Sequence, residues 1–452
     1  MAIAAQHSGL PSSGTAPIGE HRILGDGTST ALIRPDGEVD WWCAPEIDSP
    51  PALWSLLDGS GAAARWLGCE PLSTAGPPAG PSLHTVVAHG GQRVELWDGL
   101  HCEDDRGSAL IRMVRCLDGP LDITHELGLG GFDAPWARWQ TTDRGHIARV
   151  PVADLHVHGG ETILDGERRW LRSRLGAATA EWTALVISST PERSLDIPLL
   201  LAQLGEAQQE EEALVARALL PKHFRRRAGD ALRVLRTCTY ARTGAVVASS
   251  TTSLPEAPGG DRQFDYRYSW LRDASLAVSV AALLGRRDIS RTYLNFVVQQ
   301  NPHPHLPSGP LTDVRGGAVP EEREVANVGG WAGSQPVRVG NAAAGQVQYD
   351  ALGLLVEAVS VHLQMGGRLD PHVWRLVGAV AERASADPDE PTSGIWEFRT
   401  PRRLVSADIG RWLALDRAIW IGRIWRPWSR RGPWLRARAR LRDRVLSALA
   451  DD

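Results

Sequence analysis

Two short stretches carry residue types that can grip and cleave a polyol. Tyr266-Arg267-Tyr268-Ser269-Trp270-Leu271-Arg272-Asp273 packs three aromatics, two arginines and one acid into eight residues. An Arg beside an Asp grips vicinal hydroxyls, the guanidinium donating and the carboxylate accepting, while Trp and Tyr offer a stacking wall. The same residues also fit a plain helix start, with Asp273 favoured by the macrodipole and Trp270 buried. The second stretch is Gly394-Ile395-Trp396-Glu397-Phe398-Arg399. A carboxylic acid held against an indole keeps its proton near neutrality, which suits a general acid for a glycosidic oxygen. A surface Glu397 paired with Arg399 is the plainer alternative.

The elements that must position these residues follow two different periods. From Thr30 to about Ser189 the apolar runs are short, rich in Val, Ile, Leu and Trp, and broken by turn signals. Pro35-Asp36-Gly37, Gly90-Gly91 and Asp118-Gly119 each stand between two such runs, so three hairpins and an antiparallel sandwich are expected. Near Leu199 the period becomes helical. Residues 199–217 read as a linker helix, and 273–284, 289–299, 345–363, 371–385, 406–421 and 434–449 as further helices. Two long irregular stretches, 301–339 and 387–405, interrupt them, and loops of that length in a compact domain usually carry function. The expected organisation is a β-sandwich over 18–195, a linker helix over 196–230 and a helical domain over 231–452.

Composition limits what the protein does. The 452 residues hold 49 Lys plus Arg against 53 Asp plus Glu, a net charge of −4, so no overall basic field for nucleic acid is present. Five scattered cysteines without a Cys-x-x-Cys pair indicate neither a zinc site nor a disulfide framework, and point to reduced thiols in the cytoplasm. The opening residues up to Pro17 lack a basic and an apolar region, so they do not read as a secretory signal. No stretch approaches the roughly 20 apolar residues that span a bilayer. The 18 tryptophans outnumber Tyr and Phe together. Composition leaves two uses for them, a core or a sugar-stacking surface.

The blocks IGEHRILGDGTSTALIRPDGEVDWWCAPEIDSP, TGAVVASSTTSLPEAPGGDRQFDYRYSWLRDASL, GGWAGSQPVRVGNAAAGQVQYDALG, GIWEFR and WLALDRAI, in this order and spacing, resemble glycoside hydrolase family 15. That family holds glucoamylase-like enzymes, glucodextranases and some trehalases. The resemblance covers about Ile18 to Ile419. It implies an N-terminal β-sandwich followed by an (α/α)6 barrel, and an inverting attack on α-linked glucosides that needs no metal or organic cofactor. It further implies Glu397 as general acid with Trp396 beside it. Arg272 and Asp273 would hold the hydroxyls of the terminal glucose, and Tyr266 and Trp270 would shape that subsite.

The departures set the rival expectations. The resemblance implies twelve barrel helices, and six are counted here, so the fold expected is α+β with an incomplete (α/α)6 barrel. The family's base, a Glu in a Ser-Glu-Glu-like stretch, has no counterpart in the sequence. Ser406-Ala407-Asp408 stands where the family commonly has Tyr or His, then Ser and Lys. A C-terminally shortened relative follows as the expectation, either a hydrolase of trehalose or short α-glucans, or an inactive protein that binds carbohydrate or another protein. Its partner is a small carbohydrate, with no nucleic acid or membrane expected. Half a barrel exposes apolar helix faces, so self-association, or a partner chain covering them, is expected. The tail, with nine arginines and four tryptophans in 419–444, reads either as a helix with a solvated arginine face or as a membrane-surface segment.

Overall fold

The computed structural model describes residues 16–450, apart from 74–75, 104–106, 133–135, 144, 192 and 301–308. The opening segment up to Thr15 and the first part of the 301–339 stretch therefore lie outside the described residues. Between Arg22 and Ser188 the chain forms a nine-stranded and an eight-stranded sheet. Pairing is antiparallel except where Ile23 and Leu24 run beside Ala79 and Gly80. One core takes residues from both sheets, among them Trp41, Trp42, Leu96 and Leu185, so the sheets pack face to face.

Two of the three expected hairpins form. Thr30–Ile33 pairs with Val39–Cys43 around Gly37 at φ +82°, and Ser82–His89 pairs with Gln92–Cys102 around Gly90 and Gly91 at φ +57° and +79°. These are the left-handed conformations that glycine adopts without a steric penalty. The third does not. Ser108–Cys116 pairs with Gln92–Cys102 and Thr183–Ser188 in one sheet, whereas Leu121–Gly128 pairs with Trp170–Ala177 and Ala64–Trp66 in the other. The Asp118-Gly119 turn thus carries the chain between sheets. Gly119 does not adopt positive φ, and Asp118 instead accepts from the backbone N–H of Arg93 at 2.7 Å.

The helices are α1 (Ile197–Ala216), α2 (Arg225–Thr237), α3 (Leu271–Leu283), α4 (Arg287–Gln300), α5 (Tyr349–Gln364), α6 (Pro371–Ser385), α7 (Val405–Trp425) and α8 (Gly432–Ala450). α2 is absent from the sequence reading and runs through residue 230. The charged run Arg225-Arg226-Arg227 masks its period, since only Gly229, Leu232 and Thr237 are buried. α6 keeps the expected bounds: Asp370 accepts from the N–H of His372, and Pro371 takes the first helical position. α3, α5 and α7 lie side by side, each followed by a return helix, α4, α6 and α8. A β-rich domain thus leads into helical hairpins, an arrangement consistent with the six-hairpin (α/α)6 architecture.

The tail belongs to this array. Trp434, Ala437 and Leu441 of α8 are buried, and Arg438 and Arg444 pair with Asp416 and Asp408 of α7 at 2.8 and 3.0 Å. Most of the described tryptophans do core work, with Trp41, Trp42, Trp66 and Trp139 buried in the sandwich. Among the described residues, no helix is long and apolar enough to cross a membrane.

The two long loops brace the site. Leu311–Thr312 pairs with Ser269–Trp270 just before α3, and Arg323–Val325 pairs with Val337–Val339. Val325, Val328 and Trp331 of the first loop enter the sandwich core. In the second loop Thr392 bridges to Arg402, and the Thr392 hydroxyl and Ser393 N–H both donate to the carbonyl of Val347.

Candidate active site

The cluster 266–273 divides into an anchor and a working end. Arg267 is buried with Asp265, which accepts from its Nε and Nη2 at 2.9 and 2.7 Å. Arg267 also donates to the carbonyl of Ser49 in the sandwich at 2.6 Å, and Tyr268 donates to Asp265 at 3.1 Å. The buried Asp265 carboxylate holds the Arg267 guanidinium well above its ordinary pKa, against the opposing effect of burial. This pair ties the segment to the sandwich. Tyr266, Tyr268 and Trp270 pack together with Leu311 and Ala343.

Trp270 is 1% exposed. Its ring offers no open face for a sugar and instead supports Arg272, whose guanidinium carbon stands 5.5 Å from the ring centroid. Arg272 is the centre of the site. Its Nη2 donates to Glu397 Oε1 at 2.9 Å and lies 3.2 Å from Asp273 Oδ2, while its Nη1 donates to the carbonyl of Ile395 at 3.3 Å. The fold thus brings together two segments separated by 125 positions. Asp273, in the first turn of α3, leaves 45% of its side chain open to solvent.

Glu397 sits in a tight turn closed by hydrogen bonds from its own N–H to Gly394 and from Phe398 N–H to Ser393. Its φ of +57° is rare for a residue with a side chain, and such strain persists only where the surroundings enforce it. Gln346 helps, donating to the Glu397 carbonyl at 3.2 Å. Burial raises the pKa of Glu397; Arg272 opposes that rise, and the negative charges of Asp273 and Asp350 add to it. The expectation that the neighbouring indole desolvates the acid is corrected here, because Trp396 is 78% exposed. Burial of the carboxylate by the surrounding fold is what raises its pKa.

Glu397 opens on a cleft of about 1050 Å³, which Phe264, Tyr266, Gln346, Trp396 and Phe398 also line. Aromatic faces beside polar groups suit the two sides of a pyranose ring. Burial and the carboxylates of Glu397 and Glu256 push the Tyr266 phenol up to about 12, so it stays a hydrogen-bond donor. Asp408 lies elsewhere, 8% exposed and accepting from Arg444 Nε at 3.0 Å. Among the described residues, no three His, Cys, Asp or Glu side chains gather as a metal site.

Sequence reasoning missed Asp350 and Gln348 at the head of α5. Both stand in VQYDALG, part of a block that carries the family resemblance and of the helix expected over 345–363, where neither residue has an assigned role. The Gln348 carbonyl oxygen lies 3.5 Å from Arg272 Nη1, and Asp350 is 7% exposed.

A β-sandwich leading into helical hairpins, with an acid and an Arg-Asp pair meeting beside an aromatic cleft, defines a six-hairpin glycosidase type of protein. Residues 231–423 match the family described as Glycosyl hydrolases family 15, and residues 7–86 match Trehalase-like, N-terminal. The chain is 34% identical to a trehalase of Thermoplasma volcanium over 92% of its own length and 68% of that protein. It is 26% identical to trehalases of Mycobacterium tuberculosis and Mycolicibacterium smegmatis, over 89% of this chain in each case. The chain belongs to glycosyl hydrolases family 15. It spans 64% and 65% of the length of the two mycobacterial relatives.

Proposed function

We propose that this chain carries the sugar-gripping and acid-bearing part of an inverting hydrolase of α-linked glucosides, with trehalose or short α-glucans as substrates. The observation that supports it most is the meeting of Arg272 and Asp273 with Glu397, which lines the cleft. Arg272 and Asp273 hold hydroxyls of the terminal glucose, and Tyr266 and Trp270 shape the subsite, Trp270 from beneath Arg272. Glu397 protonates the leaving oxygen while water attacks the anomeric carbon from the opposite face. The exposed Trp396 indole is free to stack on the leaving sugar. The relatives' names favour trehalose within the α-glucoside class. The reading needs a second carboxylate about 6.5–9.5 Å from the acid to activate that water. Asp408 lines a different cleft from Glu397 and is paired with Arg444.

The test is glucose release from trehalose, maltose and maltooligosaccharides. Glu397→Gln is expected to lower it by about 10²–10⁴-fold, the usual contribution of a general acid. No release, or equal release by the variant, overturns the reading.

A second reading, favoured by the Arg272–Glu397 ion pair and the engaged Asp408, is a protein that binds carbohydrate without turnover. Calorimetry with glucose and an acarbose-like inhibitor separates the two readings from a protein that binds no sugar at all.

A further inference from the structure

Arg272 does two incompatible things in the sugar-free site. A general acid must carry its proton, yet a guanidinium donating to Glu397 Oε1 at 2.9 Å favours the ionised carboxylate. Asp350, which has no assigned role, offers a way out. It is the second residue of α5 and is 7% exposed. Its Oδ1 accepts from the N–H of Ala351 at 3.0 Å, while its buried Oδ2 has no hydrogen-bond partner. A buried carboxylate oxygen left unpaired is costly, and native structures leave few of them.

The groups around this oxygen select its partner. Arg272 of α3 is the cation whose charge bears on Asp350, and Gln348, two residues earlier in the chain, already reaches Arg272 Nη1. From α7, Asp408 is held by Arg444, and the guanidinium carbon of Arg411 stands 3.6 Å from the centroid of the Tyr349 ring. Glu397 itself faces Arg272 and Asp273 from α3 and Asp350 from α5, with Tyr266 close by. Gly410 of α7 packs so tightly on the head of α5 that a Cβ there would come within 2.3 Å of Asp350 Cα, which limits movement of that head toward α7. Arg272 is the group with a long, flexible side chain.

We propose that Asp350 is a positioning residue, the second acceptor for Arg272, to which the guanidinium passes when a sugar occupies the cleft, leaving Glu397 free to hold its proton. The inference rests on the reading of Glu397 as the acid. Arg272 then serves as a switch between a resting ion pair and a working one.

The test follows Glu397 directly by carboxyl-carbon NMR titration of glutamate-labelled protein, with Glu397→Gln assigning the signal. With saturating glucose the wild-type midpoint is expected to rise by about one unit, a tenfold change in the protonation equilibrium. In Asp350→Asn, a near-isosteric change, the glucose-dependent rise disappears. The sugar-free midpoint of that variant falls, because a negative charge that disfavours ionisation of Glu397 has gone. An unmoved wild-type midpoint overturns the inference, whether or not glucose binds by calorimetry, and so does an equal rise in the variant. The wild-type arm needs no variant to fold. Failure of trehalose hydrolysis with the expected titrations would sink the hydrolase reading and leave Asp350 as the partner of Arg272.

Discussion

The sandwich and the helical array solve burial differently. In the sandwich both sheets turn apolar faces inward, and the buried Arg112 is held from several sides. Arg112, fully buried, donates to Asp98 at 2.7 Å, to the carbonyl of Ala64 at 2.8 Å and toward His125 at 3.0 Å. Burial keeps His125 neutral, so this network holds one cation and one acid. The helical array is closed on one side only. On α3, Leu276, Val280 and Leu283 are 50%, 55% and 54% exposed and recur at helical spacing. Ile409 and Ile424 of α7 are exposed too. The sandwich core is closed, with Val325, Val328 and Trp331 of the first long loop completing it, whereas the helices present an apolar row that begins one turn beyond Asp273. The site lies where the two meet, anchored by Arg267 and Asp265 to the complete side.

The sharpest way to break this contrast is to attack the closed core. Arg112→Ala leaves Asp98 buried and unpaired, and is expected to destabilise the protein by about 3–5 kcal/mol in denaturant unfolding. A cost below about 1 kcal/mol would mean that water reaches the space between the sheets. Next comes the tight helical contact. Gly410→Ala forces a Cβ against the backbone of α5, so a loss of about 1–3 kcal/mol is expected. Because the clash lies at Asp350 itself, glucose affinity should weaken in the same variant. The smallest effect on stability is expected at the exposed row. Changing Leu276, Val280 and Leu283 to Ser should alter unfolding by about 0.5 kcal/mol or less per site. In light scattering the wild type should associate as concentration rises and the triple variant should not. A monodisperse wild-type monomer would show that the open face needs no cover.

Much of the fold was legible because secondary structure is a local matter. A change from short alternating runs to helical spacing near residue 199 announced a β-rich domain followed by helices, and Pro371 marked the start of α6. What failed was partner choice. Asp118-Gly119 looks like the hairpin at Asp36-Gly37, but pairing depends on which distant strands compete, and Gln92–Cys102 and Trp170–Ala177 took the two flanking strands into different sheets. The site shows the same division. The residue types and the family pattern singled out Arg272, Asp273 and Glu397, and folding brings them together. The anchoring role of Arg267 was not legible, because its acid, Asp265, and its acceptor on Ser49 come together only in the fold.

The sequence by itself therefore determined the order of the two domains, most helix positions and the chemistry available to the cleft, since these depend on residue type and near-neighbour spacing. Only the tertiary structure decided that Trp270 is buried, that Trp396 is open, that Asp408 is paired with Arg444 and that Asp350 is buried with one oxygen unpartnered. Burial, desolvation and ion pairing are set by residues far apart in the chain, and they exist only once the elements pack.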